Sequence, residues 1–176
     1  MDEIELKFLE IDKKEYISKL EKLGAKKKFS SKVEAIYFDT KKKELKKQNK
    51  ILRLRKINNK NELTIKTKIK NDQIKHMEEY ETNVNDFKLM QKILENLGYE
   101  AYAKIIKERI SYKYKNCNIE IDTITNCPTY LEIETTDINK LKKIINELGL
   151  NIKQGKPWSM FEIIKNYSQR HSVQSP

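Results

Sequence analysis

The sequence predicts an α+β fold, an antiparallel sheet closed into a barrel with charge inside and with helices covering its apolar outer face. Three observations carry this. Short segments that alternate apolar and charged residues recur along the 176-residue chain, separated by Asn-rich turns. Their charged residues stand at i, i+2 and are sorted by sign, acids on some segments and bases on others. Between them lie three stretches of helical apolar spacing, closed by Leu23-Gly24, Leu97-Gly98 and Leu148-Gly149.

In the first strand, Glu3 to Phe8, period-two alternation puts Glu3, Glu5 and Lys7 on one face and Ile4, Leu6 and Phe8 on the other. Asp12 with Glu15 three residues on forms a capping-box signal, and Tyr16, Leu20 and Leu23 give the first helix its apolar stripe. Val33, Ile36, Tyr37 and Phe38 read as the second strand, ended by Asp39-Thr40. Lys41 to Lys50 holds little apolar content beyond Leu45 and reads as a short helix or loop. Ile51 to Lys56 sets Arg53 and Arg55 against Leu52 and Leu54. Across the turn at Asn58 to Asn61, Leu63 to Lys68 returns as a hairpin with Thr64, Lys66 and Lys68 on one face. Asn71-Asp72 reads as a turn, and Glu78 to Thr82 as a strand with Glu79 and Glu81 opposite Tyr80.

The second helix runs from about Asp86 to Leu97 on Phe87, Met90, Ile93 and Leu94. The strand from about Ile105 to Tyr112 sets Lys107, Arg109 and Ser111 against Ile106, Glu108 and Ile110. After a turn at Asn116 to Asn118, Glu120 and Asp122 oppose Ile119 and Ile121. Beyond Asn126-Cys127-Pro128, Glu132 and Glu134 oppose Leu131 and Ile133. A third helix starts near Asp137 on Leu141, Ile144 and Ile145. Pro157 to Met160 lead into a short helix ending near Tyr167. Residues 1–167 are expected to form a single domain, and 168–176 a polar C-terminal tail.

A solvent-facing sheet would carry scattered polar residues and cross-strand ion pairs worth about a few tenths of a kcal/mol. Like charges spaced by two on strand after strand favour the closed alternative. An empty charged lumen would be strongly repulsive, whereas a polyphosphate with a divalent metal would pair its charges. Arg suits bidentate contact with phosphoryl oxygens, Lys supplies a point charge, and carboxylates hold Mg²⁺ or Mn²⁺.

Composition bounds the alternatives. Lys and Arg outnumber Asp and Glu by 37 to 26, a net charge of +11, which favours polyanionic partners. Part of that excess is also what solvated, Lys-rich helix faces carry. The two cysteines, Cys117 and Cys127, read as thiols in a reducing compartment, and no apolar run is long enough to cross a membrane. Together with an acidic start that leads straight into a strand, this predicts a cytoplasmic protein. His76 and His171 lie far apart and outside the predicted strand faces, which argues against zinc. No helix concentrates basic and base-reading side chains, which argues against sequence-specific nucleic-acid recognition.

The ordered motifs resemble the CYTH family, the triphosphate tunnel metalloenzymes. They are E-x-E-x-K at Glu3-Ile4-Glu5-Leu6-Lys7, Tyr37-Phe38-Asp39-Thr40, L-R-x-R at Leu52 to Arg55, L-T-x-K at Leu63 to Lys66 and E-Y-E at Glu79 to Glu81. K-x-R follows at Lys107 to Arg109, then Asp122, then E-x-E at Glu132 to Glu134. The family's glycine before L-R-x-R is replaced by Gln48-Asn49-Lys50, and Cys127-Pro128 stands for Leu-Gly before the last strand.

The resemblance implies an eight-stranded antiparallel tunnel that binds a triphosphate-containing small molecule. Lys7, Arg53, Arg55, Lys66, Lys107, Arg109 and Lys156 would contact phosphates, and Glu3, Glu5, Asp122, Glu132 and Glu134 would bind Mg²⁺ or Mn²⁺. Glu79, Glu81 and Glu120 would be further tunnel acids. The leading expectation is metal-dependent hydrolysis of inorganic, thiamine or nucleoside triphosphate, with Glu5 or Glu134 orienting water and Lys66 stabilising the departing diphosphate. The alternatives are a class IV adenylate cyclase forming cyclic AMP and a non-catalytic polyphosphate-binding module, in either case as monomer or homodimer.

Overall fold

The computed structural model describes residues 2–71 and 74–172. Its strands are β1 (Asp2–Phe8), β2 (Lys26–Thr40), β3 (Lys50–Ile57), β4 (Lys60–Asn71), β5 (Lys75–Val84), β6 (Tyr99–Tyr114), β7 (Cys117–Ile124) and β8 (Tyr130–Thr135). The α-helices are α1 (Lys13–Lys22), α2 (Glu44–Lys47), α3 (Phe87–Asn96), α4 (Ile138–Glu147) and α5 (Met160–Ser172).

Three helices share one construction. Asp12, Asp86 and Asp137 each accept a hydrogen bond from a first-turn backbone N–H of α1, α3 and α4, at 2.9, 2.9 and 2.8 Å. Gly24, Gly98 and Gly149 end the same helices with φ of 75°, 89° and 69°, a region where a side chain is disfavoured. The Asp12 and Glu15 signal is half a capping box. Asp12 caps Glu15 N, while the Glu15 carboxylate pairs with Lys19 at 2.7 Å.

The eight strands form a closed antiparallel barrel in the order β1-β5-β4-β3-β2-β6-β7-β8. β1 meets β8 from Ile4 opposite Thr135 to Phe8 opposite Leu131. β3 lies between β2 and β4, with Arg53 opposite both Tyr37 and Thr64.

Residue contacts divide the chain into two compact units. One is built mainly from Ser31–Lys70 and His76–Lys107, the other from Ile4–Ser30, Asn71–Lys75 and Glu108 onward. In the first, Ile36, Phe38, Leu45, Leu52, Leu54 and Leu94 form the core, so the even-numbered residues of β2 and β3 face α2 and α3. In the second, Leu6, Phe8, Ile119, Ile121, Leu131 and Ile133 pack under Leu20 of α1 and Leu141, Ile144 and Ile145 of α4. Each Leu or Ile buried this fully contributes roughly 1.5–3 kcal/mol. The charged residues of β1, β7 and β8 are thereby left on the opposite, inner face.

Several boundaries differ from the sequence expectation. β2 begins at Lys26 rather than Val33, because its first residues are mostly exposed and carry no apolar period. β6 begins at Tyr99, directly after the Gly98 stop, and β5 reaches back to Lys75, so His76 does lie on a strand. The Lys-rich segment holds the four-residue α2. Asp39 anchors it by accepting hydrogen bonds from the N–H groups of Thr40, Leu45 and Lys46 at 2.8, 2.9 and 3.0 Å. Burial alone would raise the Asp39 pKa, but these donors hold it below the ordinary value. α5 continues past Tyr167 to Ser172 into the segment read as a tail, of which 173–176 lie outside the described residues. Asn71 of the expected turn ends β4, and Asp72 also lies outside them. Among the described residues, no helix is long and apolar enough to cross a membrane.

Candidate active site

In the first unit the sequence alternation becomes a bank of ion pairs. Arg55 Nε donates to Glu62 at 2.5 Å and its Nη2 to Glu81 at 3.1 Å. Arg53 Nη2 donates to Thr64 Oγ1 at 3.2 Å and lies 3.7 Å from both Glu79 and Glu81. Lys66 pairs with Glu3, and with Glu79 at 3.3 Å. Burial works against the Arg53 charge, but Tyr37, Glu79, Glu81 and Glu3 outweigh it and raise its pKa. For Glu79 burial is again opposed, here by its hydrogen bond with Glu3 and by Lys66 and Arg53, and its pKa is lowered. Among the described residues, Arg53 Nε is buried without a hydrogen-bond acceptor, a charged donor with capacity to spare.

The second unit holds the more buried set. Across β1, β8 and β7 the register aligns two rows, Lys7–Glu132–Glu120 and Glu5–Glu134–Asn118. Carboxylates therefore stand directly opposite one another twice, at Glu5/Glu134 and Glu120/Glu132, an arrangement that is repulsive unless cations intervene. Lys7 is one such cation. Its ammonium bonds Glu5 and lies 3.2 Å from Glu132, with both Lys7 and Glu5 only 3% exposed. Burial would lower the Lys7 pKa, yet Glu132 and Glu5 push it above that of ordinary lysine. Lys75 reaches the same Glu5 oxygen at 2.6 Å.

Arg109 is the other. It donates to both oxygens of Asp122, at 2.7 and 2.6 Å, and lies 3.7 Å from Glu120 and Glu132. Against the cost of burial, Asp122, Glu120 and Glu132 raise its pKa well above the ordinary value. Glu120 is less well compensated. Burial, with Asp122 and Glu132 nearby, pushes its carboxyl up to about 7 despite Arg109 and a 3.1 Å hydrogen bond from Ser111. Asn118 donates to Glu134 at 3.1 Å.

A family model of the CYTH domain matches residues 1–156. The chain belongs to the CYTH domain family. Similar solved structures include a Pyrococcus horikoshii protein, 28% identical, with a TM-score of 0.77 over 92% of this chain and 98% of its own. A Vibrio parahaemolyticus protein proposed to be an adenylate cyclase is 21% identical, with a TM-score of 0.79 over 93% and 97%. A Hippeastrum protein, proposed to be an adenylyl cyclase and described as having a dominant triphosphatase activity, is 18% identical, with a TM-score of 0.70 over 93% and 95%. The likeness to the last two shows the fold. No curated relative matches the chain.

Against this CYTH frame the expected residues fall into place unevenly. Glu3, Arg53, Arg55, Lys66, Glu79 and Glu81 come together in the first unit. Glu5, Lys7, Arg109, Glu120, Asp122 and Glu132 come together in the second, with Glu134 on the adjoining row. Lys107 lies two residues before Arg109 on β6, half-buried. Lys156 is joined to Lys7 through the backbone, with its ammonium 5.7 Å from the centroid of the Trp158 ring. The sequence reading overlooked Lys75, Glu62 and Asn118. Extending the i, i+2 rows of Glu79, Thr64 and Glu120 backwards would have found all three. Tyr37 was grouped by its apolar character, yet it stands opposite Arg53 on the charged face.

Among the described residues, no three His, Cys, Asp or Glu side chains converge as a ready cation site. The donor chemistry nonetheless fits a hard divalent cation. The set is all carboxylate, and Glu5 and Glu132 already converge on one positive charge, the Lys7 ammonium.

Proposed function

We propose that this CYTH protein is a divalent-metal-dependent triphosphatase acting on a small-molecule triphosphate. The observation that carries the reading is the Lys7 ammonium held between the buried carboxylates of Glu5 and Glu132, beside Arg109 on Asp122. Buried bases matched to buried acids would exchange partners without stranding a charge when a polyanion and a cation enter together. The bases would turn to phosphoryl oxygens and the acids to metal. A phosphate-binding module without metal has no use for the acids, which would repel its ligand.

Lys7, Arg53, Arg55, Lys66, Lys107 and Arg109 contact phosphoryl oxygens in this reading, with Arg53 Nε as a donor already in hand. Glu3, Glu5, Asp122, Glu132 and Glu134 would hold Mg²⁺ or Mn²⁺, which when bound supplies charge neutralisation at the phosphates. Glu5 or Glu134 orients water and takes its proton. The water oxygen bonds to the terminal phosphorus, the bridging P–O bond breaks, and Lys66 stabilises the charge left on the departing diphosphate. The free thiols of Cys117 and Cys127 suit a reducing, cytoplasmic setting.

The test is incubation with Mg²⁺ or Mn²⁺ and, separately, inorganic triphosphate, thiamine triphosphate and ATP. Phosphate release that is lost with EDTA and in Arg53→Ala and Glu5→Ala is expected. Cyclic AMP from ATP would replace the hydrolase by a cyclase, and full turnover by folded Glu5→Ala would refute the site.

A further inference from the structure

One oxygen of Glu5 accepts two ammonium groups. Lys7, two residues on along β1, and Lys75, the first residue of β5, both donate to Glu5 Oε1, Lys75 at 2.6 Å. All three residues lie within the second unit. Lys7 is held from several sides. Its ammonium also lies 3.2 Å from Glu132, and its backbone is tied to Lys156, Lys7 N donating to Lys156 O at 3.0 Å and Lys156 N to Lys7 O at 2.8 Å. Lys75 is held by one contact. Among the described residues Glu5 is its only ion-pair partner, and its side chain is 12% exposed against 4% for that of Lys7.

As a purely structural counter-ion Lys75 would be redundant, because Lys7 already pairs with Glu5. Its position has another consequence. A divalent cation ligated by that oxygen would stand about 2.0–2.1 Å from it, and an ammonium on the same oxygen would face the ion as a like charge at contact distance. The two cannot share it. Lysine suits a reversible hold, since its compact, strongly hydrated charge rides on a flexible four-carbon stem and can withdraw to water.

We propose that Lys75 is a built-in competitor for the metal. Its ammonium holds the Glu5 oxygen until a divalent cation displaces it, so Lys75 sets the cation concentration at which the site fills. Below that concentration the buried carboxylate stays paired rather than repelling Glu134 across the strands. The inference deepens the triphosphatase reading by naming a regulation of its metal site. It rests on that reading for Glu5 as a ligand but not for the reaction.

The full chain is titrated with Mn²⁺ in the absence of any triphosphate, with the free ion followed by electron paramagnetic resonance, so that binding and not turnover is read. Lys75→Met keeps most of the stem and drops the charge. It should bind Mn²⁺ about tenfold more tightly than the wild type, the lower end of what a hydrogen bond to a charged group is worth. Lys75→Gln should show the same gain and stands in if the Met variant does not fold. Lys75→Arg keeps the charge and should bind no more tightly than the wild type. Combined with Glu5→Gln, Lys75→Met should bring no gain, because the contested oxygen no longer carries charge. An unchanged or weaker Mn²⁺ affinity in both neutral variants with wild-type circular dichroism would overturn the inference. So would an equal gain in Lys75→Arg, or a gain that survives Glu5→Gln. The tenfold gain with no triphosphate hydrolysed by any of these proteins would uphold the competition and remove the triphosphatase reading. Hydrolysis by the wild type, with neutral variants that bind Mn²⁺ no more tightly, would do the reverse.

Discussion

Replacing Arg109 by Met removes the guanidinium that three buried carboxylates share. Asp122 is fully buried and takes two of its hydrogen bonds, at 2.7 and 2.6 Å, while Glu120 and Glu132 lie 3.7 Å away. Breaking a buried pair from one side costs about 3–5 kcal/mol. Here the upper part of that range is expected, because the acids left behind face one another. Asp122→Asn cuts the same pair from the other side but leaves Arg109 with Glu120 and Glu132, so about 2 kcal/mol is expected, the loss of a charge-assisted hydrogen bond. The Arg109→Met penalty should also depend on pH. Glu120 already titrates at about 7 with the guanidinium holding it down, and it moves higher without it. An acid whose folded pKa is raised destabilises above that pKa and ceases to do so below its unfolded value. Because the unfolded state is the same for both proteins, the Glu120 part of the penalty should shrink as pH falls to about 7, where Glu120 is protonated in either protein, and stay constant below it. Urea unfolding followed by far-ultraviolet circular dichroism in EDTA measures both effects. Equal costs for the two variants, or an Arg109→Met cost that ignores pH, would refute the argument.

Three further outcomes follow from the same geometry. In the wild type, Glu120 should make stability fall as pH rises from about 4.5 to about 7, by about 3 kcal/mol in all, and denaturant titrations of Glu120→Gln should lack that slope. Asp39→Ala strands three backbone donors at the start of α2 and should cost about 2–3 kcal/mol, read as a lower melting temperature. Gly155→Ala drives a methyl group into Leu6 and should cost about 1–3 kcal/mol by denaturant titration.

The strands were legible because each has one face set against an apolar core and the other against charge, so the period of two survives on both faces. Leu52/Leu54 against Arg53/Arg55 is the plainest instance, and the structure keeps it residue for residue. The three helices were legible from Asp at one end and Leu-Gly at the other. The signal failed where one face meets only water. Lys26 to Lys28 at the start of β2 are exposed, so nothing in their order marks a strand. Lys75 escaped notice because Met77 interrupts the charged row between it and Glu79. Asp39 was noticed as the close of a strand and a family motif, but its structural role was not. Three backbone donors up to seven residues away cannot be read from its neighbours.

The pairing of β1 with β8 also dictates an order of events. Ile4 to Phe8 pair on one side with Leu131 to Thr135, near the far end of the chain, while the other neighbour of β1 is β5. During synthesis the first strand is made early, but its β8-facing edge must wait until about three-quarters of the protein has been made. A ring closed by its first and last strands pays a large loop entropy in one step, which makes closure slow relative to the hairpin of β3 and β4. Until that step, the β8-facing edge of β1 is unpaired and open to strands of other chains. Its Glu3, Glu5 and Lys7, which the finished barrel buries, give the waiting strand the charge that keeps it apart from them.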